Sequence, residues 1–399
     1  MTAEIVSFRR VLIVADESAD WMVAGLRQLD RLALSLDEFA VENKETAPVL
    51  VCILWRADLD QTQRWIPKHE RLTKVAFTTD LDGEPYDLIV NTRFFFHRRA
   101  VRRLMERPAD PPVILAPLGE DESWEGYFRR AESLAHSPDG GAWEYIANGN
   151  LIDEIEMRFL RGSGKSQDGL VSRRLNRPIS RAVTRVLLRF PTTPTAWTLF
   201  IFPIVIVASL LLLHGSYWSF LWGLVLFQVF SILDGCDGEI ARAKFLESER
   251  GRQLDDFFDI LSNILLVLGL GFGLSRHANL TGHSGMFYMV EGLLAAALIG
   301  VNEFYLSTRK PRPGPVASGS LGGALYPRHR ELVERSGLLG LGENFASWVI
   351  QLTKRDVATL FFVFLAVIGF PAGILHLLFL VTAVSLALAV KSFWGGNAS

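Results

Sequence analysis

The chain of 399 residues is short of cysteine, of surplus charge of either sign and of an apolar leader, and each shortage excludes something. Only Cys52 and Cys236 are present, too few and too far apart in sequence for a disulfide framework or a cysteine-built zinc site, and reduced thiols are expected. Formal net charge is −2, from 41 Lys and Arg against 43 Asp and Glu, so no global field recommends nucleic acid as a partner. Residues 1–10 contain no apolar core, so no cleaved signal peptide is expected. With 49% hydrophobic residues the composition does not fit a disordered or fibrous protein.

Charge is missing altogether from two stretches, Phe190 to Leu233 and Val357 to Val390. A helix crosses about 30 Å of hydrocarbon with about 20 apolar residues, so runs of roughly 34 to 44 residues are each long enough for two crossings. Gly and Pro mark the breaks, at His214-Gly215-Ser216 and Gly369-Phe370-Pro371-Ala372-Gly373. Two more apolar stretches, Phe257 to Leu274 and Met286 to Leu306, raise the expectation to six spans. Glu291 and Glu303 lie inside the latter and should face a bundle interior or a cavity.

Alternate connections carry Arg242, Lys244, Arg250, Arg252, Arg309, Lys310, Arg312, Arg328, Arg330, Arg335, Lys354 and Arg355, whereas the others carry only Arg276. The positive-inside rule then predicts an integral protein of the cytoplasmic membrane with both termini cytoplasmic. Ahead of the first span, Arg173, Arg177, Arg181, Arg185 and Arg189 recur every four residues. That spacing predicts a helix lying in the interface, its guanidinium face toward lipid phosphates or an anionic substrate.

Residues 1–160 read as a cytosolic α/β domain. Strands are predicted at Val11 to Val14, Pro48 to Leu54, Lys74 to Thr78, Asp87 to Val90 and Val113 to Ala116, with a helix over Val23 to Val41. Strands alternating with helices favour a mostly parallel sheet with a ligand crevice at the strand ends. After the first strand, however, stands Ala15-Asp16-Glu17-Ser18-Ala19-Asp20, acidic and without glycine, which would repel phosphate. Gly162-Ser163-Gly164-Lys165-Ser166 ends like a phosphate loop but has Phe159 where its first glycine belongs, and reads as a linker. Pro311 to Leu341 reads as a loop, followed by a short helix from Glu343 to Leu352.

The stretch richest in chemistry is Asp234-Gly235-Cys236-Asp237-Gly238-Glu239-Ile240-Ala241-Arg242 and, after eight residues, Gly251-Arg252-Gln253-Leu254-Asp255-Asp256-Phe257-Phe258-Asp259. It joins the cytoplasmic ends of the second and third expected spans. Asp234 and Asp237 share one helix face, and so do Asp255 and Asp259. On antiparallel neighbours the four carboxylates would converge and repel, and Mg²⁺ or Mn²⁺ removes that cost while taking hard oxygen ligands. Gly238, Ala241 and Gly251 leave room for another helix or a flat base, and Arg242 offers a fork for phosphate.

The pattern D-x-x-D-G-x-x-A-R, eight residues, G-x-x-x-D-x-x-x-D resembles the signature of the CDP-alcohol phosphotransferases (CDP-alcohol phosphatidyltransferases), with every fixed position present. The likeness runs from about Asp168 to Lys391. Asp168-Gly169-Leu170-Val171-Ser172-Arg173, Leu175-Asn176-Arg177-Pro178-Ile179-Ser180 and Thr353-Lys354-Arg355-Asp356 are similar to the di-myo-inositol-phosphate-phosphate synthase branch.

The resemblance implies metal binding by Asp234, Asp237, Asp255 and Asp259, with Asp259 also the general base. It places Gly238, Ala241, Arg242 and Gly251 at the CDP site, together with Thr193 and Thr195, the latter standing where the family often has Asn. An acceptor hydroxyl would attack the β-phosphorus of a CDP-alcohol, CDP-diacylglycerol or CDP-inositol, and release CMP, a reaction of phospholipid biosynthesis. Basic residues at the cytoplasmic helix ends, Arg309, Lys354 and Arg355, are candidate clamps for a phosphorylated polyol such as an inositol phosphate. A homodimer is implied by resemblance alone.

The expected organisation is residues 1–160, a noncatalytic, degenerate nucleotidyltransferase-like domain; 161–195, linker and interfacial helix; and 196–391, the six-span transferase domain with its active site facing the cytoplasm. Three other readings compete. An intramembrane prenyltransferase would use Asp255-Asp256-Phe257-Phe258-Asp259 but needs a second Asp-rich helix, which the sequence lacks. A cation transporter would place its acids in mid-membrane. A docking role for the N-terminal domain would leave the remaining bundle active without it.

Overall fold

The computed structural model describes residues 9–42, 47–56, 64–81, 83–97, 115–116, 119, 121–134, 143–162, 171–308 and 355–396. Backbone contacts divide the chain into two units. The first is Met1–Ser163 with the segments Leu188–Pro191 and Arg242–Phe245, and the second is the remainder.

In the first unit β1 (Arg10–Ala15) is followed by a small hairpin of β2 (Met22–Val23) and β3 (Leu26–Arg27), then α1 (Gln28–Glu42) and β4 (Val49–Trp55). Next come β5 (Val75–Thr78), β6 (Leu88–Asn91), β7 (Phe94–Phe96), α2 (Trp124–Leu134), β8 (Trp143–Tyr145) and α3 (Ile152–Gly162). The main sheet has the order β5-β4-β1-β6 with every pairing parallel, and Ile13 stands opposite both Ile53 and Val90. Parallel strands covered on both faces explain the uninterrupted apolar run of β1. Val11 and Ile13 bury against Leu29, Leu32, Leu36 and Phe39 of α1, while Leu12 and Val14 bury with Tyr127, Phe128 and Ala131 of α2. Cys52 packs in that second core layer as a small side chain, its thiol donating to the Asp80 carbonyl at 3.5 Å.

Four of the expected strands are present. The helix expected from Val23 begins only at Gln28, because Ala24 and Gly25 have φ of 48° and 79° and turn the chain into the β2–β3 hairpin. Leu115 and Ala116 form no strand, and residues 113 and 114 lie outside the described residues. Arg31, wholly buried on α1, donates to the Val23 and Ala24 carbonyls at 2.8 and 3.1 Å and lies over the Phe95 and Phe159 rings. Burial holds its guanidinium below the usual arginine range.

Strand order reverses direction between β1 and β6, where an open α/β sheet places its crevice. Here that point is filled by the chain itself. Asp16 accepts from Ser18 N–H at 2.8 Å and Arg93 Nε at 2.5 Å, and Glu17 pairs with Arg93 and, at 3.1 Å, with Arg56.

The second unit starts, within the described residues, with a π turn at Ser172–Asn176 and α4 (Arg177–Leu187). The long helices follow: α5 (Pro194–His214), α6 (Tyr217–Ala243), α7 (Glu249–Leu280), α8 (Met286–Thr308), α9 (Arg355–Val367) and α10 (Pro371–Gly396). Both expected breaks are present, α5 ending on Gly215 at φ 77° and α9 giving way to α10 through Gly369 at φ 77°. Among the described residues three helices, α5, α6 and α7, are long and apolar enough to cross a membrane. The apolar parts Met286–Asn302, Val357–Val367 and Pro371–Val384 are shorter. The loop expected at Pro311 to Leu341, the helix expected at Glu343 to Leu352 and residues 163–166 of the linker lie outside the described residues.

Close backbone approach holds these helices together. A Cβ added to Gly271 of α7 would lie 2.8 Å from Gly292 Cα of α8, so no larger residue fits there without a shift. Side chains add ties across the unit. Gln228 of α6 donates to Asn176 Oδ1 at 3.1 Å and accepts from Thr359 Oγ1 of α9 at 2.6 Å. Buried Glu291 of α8 meets His376 Nδ1 of α10 at 2.7 Å, the interior placement expected of an acid in an apolar helix.

Candidate functional site

The site is built where α6 ends and α7 begins. Leu246 N–H returns to the Ala241 carbonyl at 2.8 Å and closes α6, and Ser248 Oγ accepts from Gly251 N–H at 3.0 Å and starts α7. These two events set the phases of the helices. Asp234 and Asp237 of α6 and Asp255 of α7 then bring one carboxylate oxygen each within 4.8 Å of one another.

Asp237 is the most buried of the three. It is buried, its Oδ2 accepts from Thr198 Oγ1 of α5 at 2.9 Å, and its Oδ1 accepts from Gly238 N–H. Trp197 Nε1 donates to the Leu233 carbonyl at 2.9 Å, so α5 is tied to α6 just before Asp234. Asp259 follows one helical turn after Asp255 and is not part of the three-residue group. Asp256 points elsewhere: it is exposed and pairs with Arg252 at 2.7 Å. Asp255, Asp256 and Asp259 therefore do not converge as one set of carboxylates.

The donor set fits a hard divalent cation. Oxygens around an ion at about 2.1 Å lie roughly 3 to 4 Å apart, a small side-chain movement from the observed spread. All three ligands are carboxylates, the chemistry that Mg²⁺ and Mn²⁺ prefer.

Of the residues expected at a CDP site, Gly238, Ala241, Arg242 and Gly251 are half-buried. Thr193 and Thr195 are exposed, and the Thr193 hydroxyl caps α5 by accepting from Ala196 N–H at 3.3 Å. Arg309 and Lys354 lie outside the described residues, and Arg355 opens α9 with its side chain likewise outside them.

The arginine series before α5 does not form the single face that its spacing predicts. The π turn breaks the helical phase after Arg173, which is exposed, and Arg189 lies beyond the end of α4. Arg181 and Arg185 are half-buried, and Arg177, 7% exposed, is turned inward onto α6. There Arg177 Nη1, Ser180 Oγ and Thr184 Oγ1 converge on the Glu239 carboxylate at 3.0, 2.9 and 2.7 Å. Neither Glu239 nor Thr198 stands out in the sequence as a site residue. The available signal was an acid at an unfixed position of the signature, with donors at i, i+3 and i+7 in the preceding amphipathic helix.

Residues 189–390 match the family model described as CDP-alcohol phosphatidyltransferase, about half of the chain, and the protein belongs to that family. The matched part is a transferase domain by that description, and the chain's curated relatives bear on the branch. It is 34% identical over 175 residues to the bifunctional IPC transferase and DIPP synthase of Rubrobacter xylanophilus, covering 43% of this chain and 39% of that one. The protein of the same name from Thermococcus kodakarensis is 34% identical over 140 residues, 35% of this chain and 31% of its own. That of Aquifex aeolicus is 37% identical over 133 residues, 33% and 30%. Each match thus spans well under half of the relative's length, and the likeness is consistent with the DIPP synthase branch.

Proposed function

We propose that the protein is a six-span membrane enzyme that transfers a phosphoalcohol group, phosphatidyl or phosphoinositol, from a CDP-alcohol to an acceptor hydroxyl and releases CMP. The acceptor is an inositol phosphate or a related polyol phosphate. The observation that carries this reading is the convergence of Asp234, Asp237 and Asp255 from two helices, in a chain that bears the whole family signature. The likeness to proteins named DIPP synthase supports an inositol phosphate as acceptor.

In this reading Asp234, Asp237 and Asp255 hold Mg²⁺ or Mn²⁺, and Thr198 keeps Asp237 oriented for it. The bound ion would neutralise the diphosphate and favour in-line displacement. Gly238, Ala241, Arg242 and Gly251, with Thr193 and Thr195, make the CDP site. Asp259 accepts the proton of the acceptor hydroxyl as the new bond to the β-phosphorus forms and the bond to the departing CMP oxygen breaks. A carboxylate is a weak base for an alcohol, so proton removal is concerted with phosphoryl transfer. The protein works as a homodimer in the cytoplasmic membrane, with both termini and the active site on the cytoplasmic side.

The deciding experiment is CMP release by detergent-purified protein with Mg²⁺, CDP-inositol or CDP-diacylglycerol and inositol 1-phosphate, with product masses recorded. A phosphodiester of the matching mass supports the reading, and no CMP from either donor with folded protein rejects it.

Arg309, Lys354 and Arg355 clamp the acceptor phosphate. Lys354→Ala and Arg355→Ala should each raise the acceptor KM about tenfold, about 1.4 kcal/mol of a charge-assisted contact, with little change for the donor. An unchanged acceptor KM removes them from the site.

The N-terminal domain reads as noncatalytic: its switch point carries Asp16 and Glu17, paired with Arg93 and Arg56, in place of a glycine-rich phosphate loop. Offered CTP and a polyol phosphate, the protein should release no pyrophosphate. Steady release would restore this domain as a second enzyme.

A further inference from the structure

The α4–α6 contact has a consistent geometry. Successive residues of a helix are about 100° apart, so Glu239 lies roughly 160° from Asp237 and 140° from Asp234. The metal-facing acids and Glu239 therefore occupy opposite sides of α6. Gly235 and Cys236 share the rear side with Glu239. A Cβ on Gly235 would stand 3.3 Å from Arg177 Nη1, and Cys236 Sγ donates to the Ser180 carbonyl at 3.4 Å. Fixed positions of the signature thus face the site, while unfixed ones, Gly235, Cys236 and Glu239, meet α4.

A carboxylate 1% exposed, with three donors from one helix, is a tie that cannot be half made. Leaving either buried charge unpaired is strongly unfavourable, so α6 has one rotation and one height at which Glu239 is satisfied. That rotation is the one that points Asp234 and Asp237 at Asp255.

We propose that Glu239 is a positioning residue: by engaging Arg177, Ser180 and Thr184 it locks the carboxylate-bearing turns of α6 from behind and sets the geometry of the metal ligands. The helix before the first span is then part of the catalytic machinery rather than a surface anchor only. This rests on the reading of Asp234, Asp237 and Asp255 as the metal site.

The test is Mn²⁺ binding to the full-length protein in detergent, read from the free-Mn²⁺ electron paramagnetic resonance signal, alongside kcat and KM. Glu239→Gln keeps the volume but presents an amide N–H₂ to a donor. It should weaken Mn²⁺ affinity about tenfold, the scale of losing a partner that orients metal ligands, and lower kcat with a nearly unchanged donor KM. Ser180→Ala combined with Thr184→Val removes two donors without touching charge, and should give a milder loss of about threefold if Glu239→Gln does not fold. A fall in melting temperature alone, with Mn²⁺ affinity and kcat as in the wild type, overturns the proposal and leaves Glu239 a packing residue. Asp237→Asn separates the two readings. It should abolish Mn²⁺ binding, and if it binds as the wild type does, the metal-site reading falls and the positioning role with it.

Discussion

Asp259→Asn should lower turnover by about a hundredfold to ten-thousandfold while CDP-alcohol binding stays within about threefold of wild type. The substitution keeps shape and removes only the capacity to take a proton. Asp259 shares a face of α7 with Asp255 and is not part of the group formed by Asp234, Asp237 and Asp255, so an intact group remains to hold the ion. Equilibrium binding of a radiolabelled CDP-alcohol and single-turnover CMP release check the two halves separately. Loss of binding in step with turnover would make Asp259 mainly a ligand.

Asp255→Asn is expected to act in opposite directions with and without metal. Two charges within 4.8 Å of each other repel by about 3 kcal/mol or more at an effective dielectric of about 20, and Asp255 faces two such neighbours. Removing its charge should therefore raise the melting temperature in EDTA. Yet Asp255 is the only member of the group on α7, so the same change removes the link that an ion makes between the two helices. The stabilisation that Mg²⁺ gives the wild type should largely vanish, and turnover with it. Thermal unfolding in detergent, with EDTA and with saturating Mg²⁺, measures both signs. A lower melting temperature in EDTA would mean that other contacts, not repulsion, dominate at Asp255.

Helix boundaries and long-range side-chain partners are not equally legible in the sequence. Charge-free runs and the glycines at 215 and 369 located the helix boundaries, because lipid-length apolar helices and left-handed caps leave strong local signals. Spacing on antiparallel neighbours put Asp234, Asp237, Asp255 and Asp259 together, and the first three converge while Asp259 stays outside their group. Spacing failed where the partner lay far away in sequence. Arg177 looked like one of five equivalent arginines, and only the π turn and the burial of Glu239 distinguish it. Thr198 was hidden for a related reason: a threonine in an apolar span usually bonds its own helix, and this one also reaches Asp237. The β2–β3 hairpin was missed because apolar residues ran on through Ala24 into α1, and nothing local but one glycine marked the reversal.

The hydrogen bonds that Gln228 makes with Asn176 and Thr359 also bear on how the chain is made. Thr359 is translated 131 residues after Gln228, which at about 5–20 residues per second is a delay of roughly 7 to 26 s. Throughout that interval α6 carries an amide oxygen whose eventual partner has not left the ribosome. An unpaired polar group in an apolar helix is costly in hydrocarbon. α6 lacks this tie to α9 until that helix has been made, so a ribosome-stalled chain ending before residue 355 is expected to stay crosslinkable to the insertion machinery longer than one ending after residue 367.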